Sequence, residues 1–170
     1  MKIQFLASSS LSLLALALPL SAAETILVAD DPAATASALV PTAGNGGNSL
    51  SIQEWTDVAT PPNAASWTTG TTGVGYEASP TSNTSYSSLL GLDLQARMRN
   101  RSTTAYIRIP FIVDAQTLTS TRGLFLDMKY DDGFIAYFNG VRVAAANAPA
   151  QPGPASAASS NNSDSRALQF

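Results

Sequence analysis

The chain has 170 residues, with 9 Lys and Arg against 12 Asp and Glu, and it contains neither cysteine nor histidine. These two absences exclude disulfides, the Ser-His-Asp and Cys-His nucleophile systems, and the usual zinc sites built on His or Cys. The net charge of −3 and the lack of a dense cluster of Lys and Arg argue against a nucleic-acid partner.

The N-terminal residues 1–23 have the pattern of a secretory signal peptide. Lys2 supplies positive charge, residues 11–20 are strongly apolar, and Ser21-Ala22-Ala23 provides the small residues of a cleavage site. A retained membrane anchor is the alternative, but the apolar stretch is shorter than the roughly 20 residues that cross a bilayer, and Pro19 interrupts it. We therefore expect a secreted or cell-surface protein whose mature part, residues 24–170, forms one module without a transmembrane segment.

Short apolar runs set between turn signals predict an all-β domain. In the first half, strands are expected near residues 25–29 and 38–40, with loops at 43–48 and 61–63. The one helix candidate covers residues 89–98. The glycines at 70, 73 and 75 favour tight turns into a strand, because neither nucleotide-binding pattern of glycines is complete there.

The clearest strand signals lie in the second half. Every second residue from Ile107 to Val113 is apolar, which places these side chains on one face, and Pro110 indicates an edge strand or a bulge. Residues 124–143 are typical of an antiparallel meander, with Asn139-Gly140 as a type I′ hairpin turn.

After residue 143 the chain becomes a long polar loop, and a further strand is expected to begin at residues 166–170. A sandwich that ended there would leave a sheet edge unpaired, so we expect the module to be incomplete at its C-terminal side.

The turn Tyr130-Asp131-Asp132-Gly133 is the strongest candidate for a site. Adjacent carboxylates at a turn can bind a hard cation such as calcium, with Asn139 as a further ligand if the two loops converge. The alternative is that Asp and Gly are present only because they form turns well. Asp131 and Asp132 are therefore the candidate metal ligands, and calcium is the candidate cofactor.

Aromatic side chains supply the other candidate contacts, because an aromatic face with a polar rim suits a sugar ring. Tyr76 and Tyr130 are equally compatible with sugar stacking and with packing. For Trp55 and Trp67, structural packing is the favoured interpretation. Three arginines at positions 97, 99 and 101 indicate either a solvated face or contact with an acidic glycan.

An active site is not expected in this chain. Glycoside hydrolysis needs two carboxyl groups that flank the bond at roughly 5 to 9.5 Å, and adjacent residues on a tight turn are poorly placed for that. The remaining carboxylates in the first half are scattered among loops with no spacing that indicates a pair. The sequence thus predicts a protein that is not an enzyme.

Three separated segments, residues 66–77, 106–111 and 128–140, resemble in order a galactose-binding-like jelly-roll module. The resemblance covers roughly residues 35–150. Such modules occur in large exported bacterial proteins beside lamin-tail and CotH-kinase-like domains. The resemblance implies an antiparallel β-sandwich fold, and the pair Asp131-Asp132 is also similar to the calcium-binding aspartates of protective-antigen-type lectin modules.

The sequence as a whole predicts a non-catalytic extracellular module that binds carbohydrate or mediates adhesion. Its partners would be a glycan or neighbouring domains of the same polypeptide. The candidate ligand-binding residues are Tyr130, Asp131, Asp132, Asn139 and Tyr76. Two alternatives remain open: a structural spacer that packs between domains without a small ligand, and an accessory N-terminal domain of an exported enzyme.

Overall fold

The regular secondary structure of the chain consists mainly of short strands, which long loops connect. The computed structural model describes residues 2–7, 23–28, 34–57, 60–78, 80 and 84–170. The strands found in this part are β1 Lys2–Ala7, β2 Ala23–Val28, β3 Thr35–Leu39, β4 Thr68–Thr71, β5 Val74–Gly75, β6 Leu92–Asp93, β7 Tyr106–Arg108, β8 Thr121–Asp127, β9 Phe134–Phe138 and β10 Val141–Ala146. The short α-helices are α1 Ile52–Thr56, α2 Gln95–Met98, α3 Ala115–Ser120 and α4 Asp164–Ala167. The prediction of a β-rich chain is confirmed.

The strands pair mostly in an antiparallel manner. In the described part of the chain, β3 lies between β4 and β7, β1 lies between β2 and β8, and β9 pairs with β10. The short strands β5 and β6 pair in parallel. The buried Thr72 extends the β3–β4 ladder, because its amide donates to the carbonyl of Ala34 and its hydroxyl accepts from the Ala34 amide.

The strand β1 belongs to the segment that the sequence assigns to a signal peptide. Its backbone pairs with β8 on one side, from Lys2 opposite Asp127 to Ala7 opposite Thr121. Removal of residues 1–23 would therefore take away the strand that separates β2 from β8. The apolar stretch expected at residues 11–20 and the small residues Ser21 and Ala22 lie outside the described residues.

The apolar core sits around β3 and the chain that enters α2. Its buried side chains are Ala38 and Val40 on one side and Leu92 and Leu94 on the other. The close approach of β4 explains Gly70, because a Cβ at this position would lie 2.9 Å from the carbonyl oxygen of Gly91.

The buried face of β7 is the opposite of the predicted one. Tyr106 is only 8% exposed, whereas Ile107 is 39% exposed. The strand ends at Arg108, before Pro110, and pairs on one side with β3 in the β4-β3-β7 sheet. Among the described residues β7 therefore lies at a sheet edge, but it stops two residues before the proline on which that expectation rested, and its period-two pattern indicated the wrong face. Packing of Tyr106 and Arg108 against two tryptophans decides the orientation.

The hairpin of β9 and β10 has the predicted turn. Val141 pairs with Phe138, and Asn139 and Gly140 have φ angles of 46° and 83°. The predicted meander is only partly correct, because β8 pairs with β1 and not with β9. A loop of six residues separates β8 from β9, so close pairing of the two strands is not imposed by a tight turn.

Two further sequence expectations differ from the structure. The helix expected at residues 89–98 begins only at Gln95, because residues 92–93 form β6 and the Asp93 carboxylate accepts from the Gln95 amide at 2.7 Å. The strand expected at 166–170 is replaced by α4, which buries Ala167. No helix among the described residues is both long and apolar enough to cross a lipid bilayer.

Candidate functional site

The turn between β8 and β9 holds the two candidate metal ligands. Asp132 has a φ of 59°, and the Gly133 amide donates to the Asp131 carbonyl at 2.9 Å. Only glycine fits at position 133, because a Cβ there would lie 2.7 Å from the carbonyl oxygen of Asn147. The backbone of the turn is therefore set by close contact with the chain that follows β10.

Two asparagines that the sequence analysis did not identify hold this turn, which we call the acidic turn (residues 130–133). The Asn147 side chain donates to the Asp132 carbonyl at 2.7 Å, and the buried Asn162 side chain donates to the Tyr130 carbonyl at 2.7 Å. The backbone amide of Asn162 also donates to the Asp132 carboxylate at 3.3 Å. Asp132 thus has a structural role, which supports the interpretation of this residue as a turn former.

Negative charge accumulates around Asp131. Partial burial raises the pKa of its carboxyl group, and the charges of Asp132, Asp164 and Glu77 raise it further. Burial is the main cause that raises the pKa of Tyr86 to about 12, and the charges of Asp131, Asp164, Glu77 and Asp132 add to it. The Tyr86 hydroxyl is buried and has no hydrogen-bond partner among the described residues.

This accumulation does not amount to a ready metal site. Across the described ranges, no three Asp or Glu side chains lie close enough together to hold a metal ion. Calcium takes six to eight oxygen ligands, so Asp131 and Asp132 would need backbone and water oxygens to complete its coordination.

Asn139 does not join the acidic turn. It lies in the turn between β9 and β10, at the opposite end of β9 from Asp131. A strand of five residues spans roughly 17 Å, so the two loops do not converge. Asn139 is exposed, and its positive φ explains its presence in a type I′ turn.

Tyr76 lines an open cleft of about 600 Å³. The cleft also carries the amides of Asn48 and Asn100 and the guanidinium of Arg101. The hydroxyls of Ser102 and Thr103 line it too, but they already donate to backbone carbonyls. Among the three arginines singled out in the sequence, only Arg101 lines this cleft, although all three are exposed.

A short connection links the cleft to the acidic turn. Glu77 follows Tyr76 directly, and its carboxylate accepts from the Tyr86 amide at 3.2 Å. The charge of Glu77 also contributes to the raised pKa of Asp131, so the residue next to Tyr76 acts on the acidic turn. Tyr130 does not face the cleft and packs edge-on against Phe134, with ring centroids 4.8 Å apart.

Both tryptophans make packing contacts, as the favoured interpretation predicts. The helix α1 begins with a capping box in which Ser51 and Glu54 bond each other's backbone amides, and this places Trp55 over Tyr106. Trp67 donates from its indole to the Pro62 carbonyl at 3.1 Å. Arg108 bridges the two tryptophans, because its guanidinium donates to the Trp55 carbonyl at 3.1 Å and lies 5.9 Å from the Trp67 ring centroid.

Comparison of the chain with family models, with curated proteins and with solved structures found no match.

Proposed function

We propose that this chain is a non-catalytic, exported module that binds carbohydrate or mediates adhesion, on a jelly-roll sandwich of the galactose-binding-like type. The observation that carries the proposal is the cleft at Tyr76. It combines one aromatic side chain with two side-chain amides and a guanidinium group, and this combination suits a ring that has both an apolar face and many hydroxyls.

The absence of His and Cys from the sequence supports a binding role over a catalytic one. Hydrogen bonds from the amides of Asn48 and Asn100 would fix the orientation of a sugar, and stacking on Tyr76 would supply the apolar contact. Secretion or display on the cell surface fits this role, because glycans are abundant outside the cell membrane.

A glycan array with the complete, folded protein tests the proposal. Tyr76→Ala should weaken binding to the best glycan by about tenfold or more, which corresponds to ~1.4 kcal/mol, whereas Tyr76→Phe keeps the stacking face and should bind nearly as well. Arg101→Ala should also weaken binding, and Arg97→Ala is its matched control because Arg97 is equally exposed but does not line the cleft. A folded protein that binds no glycan would contradict the proposal.

Calcium at Asp131 and Asp132 is a separate part of the proposal. It is supported by the mutual repulsion of the carboxylates around Asp131, which a divalent cation would relieve. Since the described residues offer no group of three carboxylates, the ion would be held weakly and a chelator would remove it. Calorimetric titration with calcium should give a heat that disappears in the double variant Asp131→Asn, Asp132→Asn, and a titration without heat would contradict this part alone.

The second candidate function is an interdomain-packing spacer, and exposed apolar side chains favour it. Ile112 and Val141 are 94% and 67% exposed. The two residues belong to one region of the surface. Phe111, which precedes Ile112, packs on Phe138 with ring centroids 5.8 Å apart, and Phe138 pairs with Val141 in the hairpin. Under this alternative, Ile112→Ser and Val141→Ser would leave the stability of the isolated chain unchanged and would weaken docking of a neighbouring domain. An accessory role in front of an exported catalytic domain is compatible with either function.

A further inference from the structure

A second cavity borders the Tyr76 cleft, with which it shares Thr103 and Pro154, and its chemical character is different. Its volume is about 410 Å³, which is within the range of small-molecule sites. It is bounded by α1, by β7 with the residues before it, and by the first part of β9, and it is covered by the segment 147–158 that follows β10. We call it the aromatic cavity.

Four aromatic side chains line it, those of Trp55, Tyr106, Phe134 and Tyr137. The rings of Trp55 and Tyr106 are parallel, with centroids 4.7 Å apart, so one face of the indole is already used for packing. Tyr137 meets Trp55 at 82°, with centroids 5.6 Å apart. The two perpendicular rings make a corner that offers a planar guest one stacking contact and one edge contact.

The polar groups that line the aromatic cavity are mostly used by the protein itself. The hydroxyls of Thr103 and Thr104 donate to the carbonyls of Ala155 and Ser156, at 3.2 and 2.7 Å. The Ser156 hydroxyl accepts from the Gly153 amide, and the Asn147 side chain donates to the Asp132 carbonyl. A sugar placed here would lose water from several hydroxyls and find few partners, so a guest with few polar groups fits better.

The lining also favours an uncharged guest. None of the described residues that line the aromatic cavity is Asp, Glu, Lys or Arg. An ionised guest would therefore lose its hydration without gaining a counter-charge. The covering segment adds Pro149, Pro152 and Pro154, whose rings are apolar and whose backbone is stiff.

We propose that the aromatic cavity binds a neutral aromatic compound of one or two rings. The proposal concerns a different ligand class and a neighbouring cavity, and it is independent of the proposed function. The guest stacks on the exposed part of Trp55, contacts Tyr137, and lies beneath the proline-containing segment.

The test uses the full chain with Trp67→Phe, which leaves Trp55 as the single tryptophan, since the sequence has two. The neutral probe is 2-naphthol, and 2-naphthoate is its charged analogue with the same rings. Titration with 2-naphthol is expected to change the fluorescence of Trp55 in a saturable manner. The affinity for 2-naphthoate is expected to be at least about tenfold lower.

A substitution that fills the cavity provides the structural control. Gly153 lines the aromatic cavity, and a Cβ added there meets nothing within 4 Å, so Gly153→Leu can be accommodated and should lower the affinity for 2-naphthol by at least about tenfold. Gly44→Leu is the matched control, because its Cβ also meets nothing closer than 4.0 Å and it does not line the cavity. Circular dichroism and urea unfolding establish that each variant is folded.

Three results would overturn the proposal: no saturable change in Trp55 fluorescence, equal affinity for 2-naphthol and 2-naphthoate, or an affinity that Gly153→Leu and Gly44→Leu change to the same extent. None of these results bears on glycan binding by the Tyr76 cleft, so the two proposals fail separately.

Discussion

The indole ring of Trp55 and the phenol ring of Tyr106 lie face to face, 4.7 Å apart between centroids and within 2° of parallel. This contact joins α1 to β7 across 51 residues of chain. It also decides which side of β7 is buried, since Tyr106 is covered by the indole while Ile107 points outward.

Removal of the Tyr106 ring should be the most destabilising substitution in β7. Tyr106→Ala is expected to lower the free energy of unfolding by about 3 kcal/mol, because it leaves a space beside Trp55 that the structure fills only partly. Tyr106→Phe retains the ring and should cost much less. Ile107→Ala, at the exposed neighbouring position, should cost under about 1 kcal/mol. Urea unfolding measures all three, and an Ile107→Ala cost equal to that of Tyr106→Ala would show that the face has been assigned incorrectly.

The hairpin turn should require glycine at position 140. Gly140 has a φ of 83°, which costs an L-residue about 1–2 kcal/mol, so Gly140→Ala should destabilise the chain by that amount. Gly153→Ala is the control, because Gly153 has no positive φ and its added Cβ meets nothing within 4 Å. Thermal unfolding of both variants checks the difference, which would vanish if the turn were not of type I′.

The buried amide of Asn162 should stabilise the acidic turn. Asn162→Ala leaves the Tyr130 carbonyl without its partner at 2.7 Å and is expected to cost about 1–3 kcal/mol. The adjacent Asn161 is exposed, so Asn161→Ala should have little effect. Hydrogen exchange would show the Gly133 amide exchanging faster in Asn162→Ala only. Equal effects of both variants would argue against a role for this amide.

Asp131 should make the protein less stable as the pH rises. Because its pKa is raised by partial burial and then by Asp132, Asp164 and Glu77, its ionisation is less favourable in the folded chain than in the unfolded one. Its contribution to stability is present below the usual carboxyl pKa and is lost as the pH rises through the raised value. Asp131→Asn should therefore increase stability at neutral pH, and the gain should disappear in acid.

Asp114 provides a comparison of opposite sign for Asp131. The backbone amide and hydroxyl of Thr117 lower the pKa of Asp114, since both donate to its carboxylate. Its contribution is present above the usual carboxyl pKa and is lost as the pH falls through the lowered value. Asp114→Asn should thus decrease stability at neutral pH. Unfolding curves between about pH 3 and pH 8 would contradict the assignment if both variants changed stability in the same direction.

Tyr86 should limit stability in alkali. Its pKa is raised to about 12 by burial and by the surrounding carboxylates, so its contribution is present below the usual tyrosine value and is lost as the pH rises from about 10 towards 12. Tyr86→Phe removes a buried hydroxyl that has no partner among the described residues, so it should not destabilise the chain at pH 7. The Tyr86→Phe variant should also unfold at a higher pH than the wild-type chain. An alkaline transition that Tyr86→Phe leaves unchanged would contradict this role.

The sequence by itself determined the features that depend on a few neighbouring residues. Asn139-Gly140 set the turn between β9 and β10 because both positions need a positive φ. The turn at Asp131 and Asp132 and the packing role of Trp55 were also predictable from residue type.

Only the tertiary structure decided which distant residues meet. Tyr130 and Asn162 are 32 residues apart, and no local pattern in a polar tract indicates that one asparagine of the tract is buried. The same holds for β7, where alternating apolar residues predicted one face but contacts with Trp55 and Trp67 buried the other. Asn139 was kept away from Asp131 by the length of β9. Turn chemistry acts over two or three residues, whereas burial and buried hydrogen bonds depend on the packing of the whole chain, so the sequence alone could not supply them.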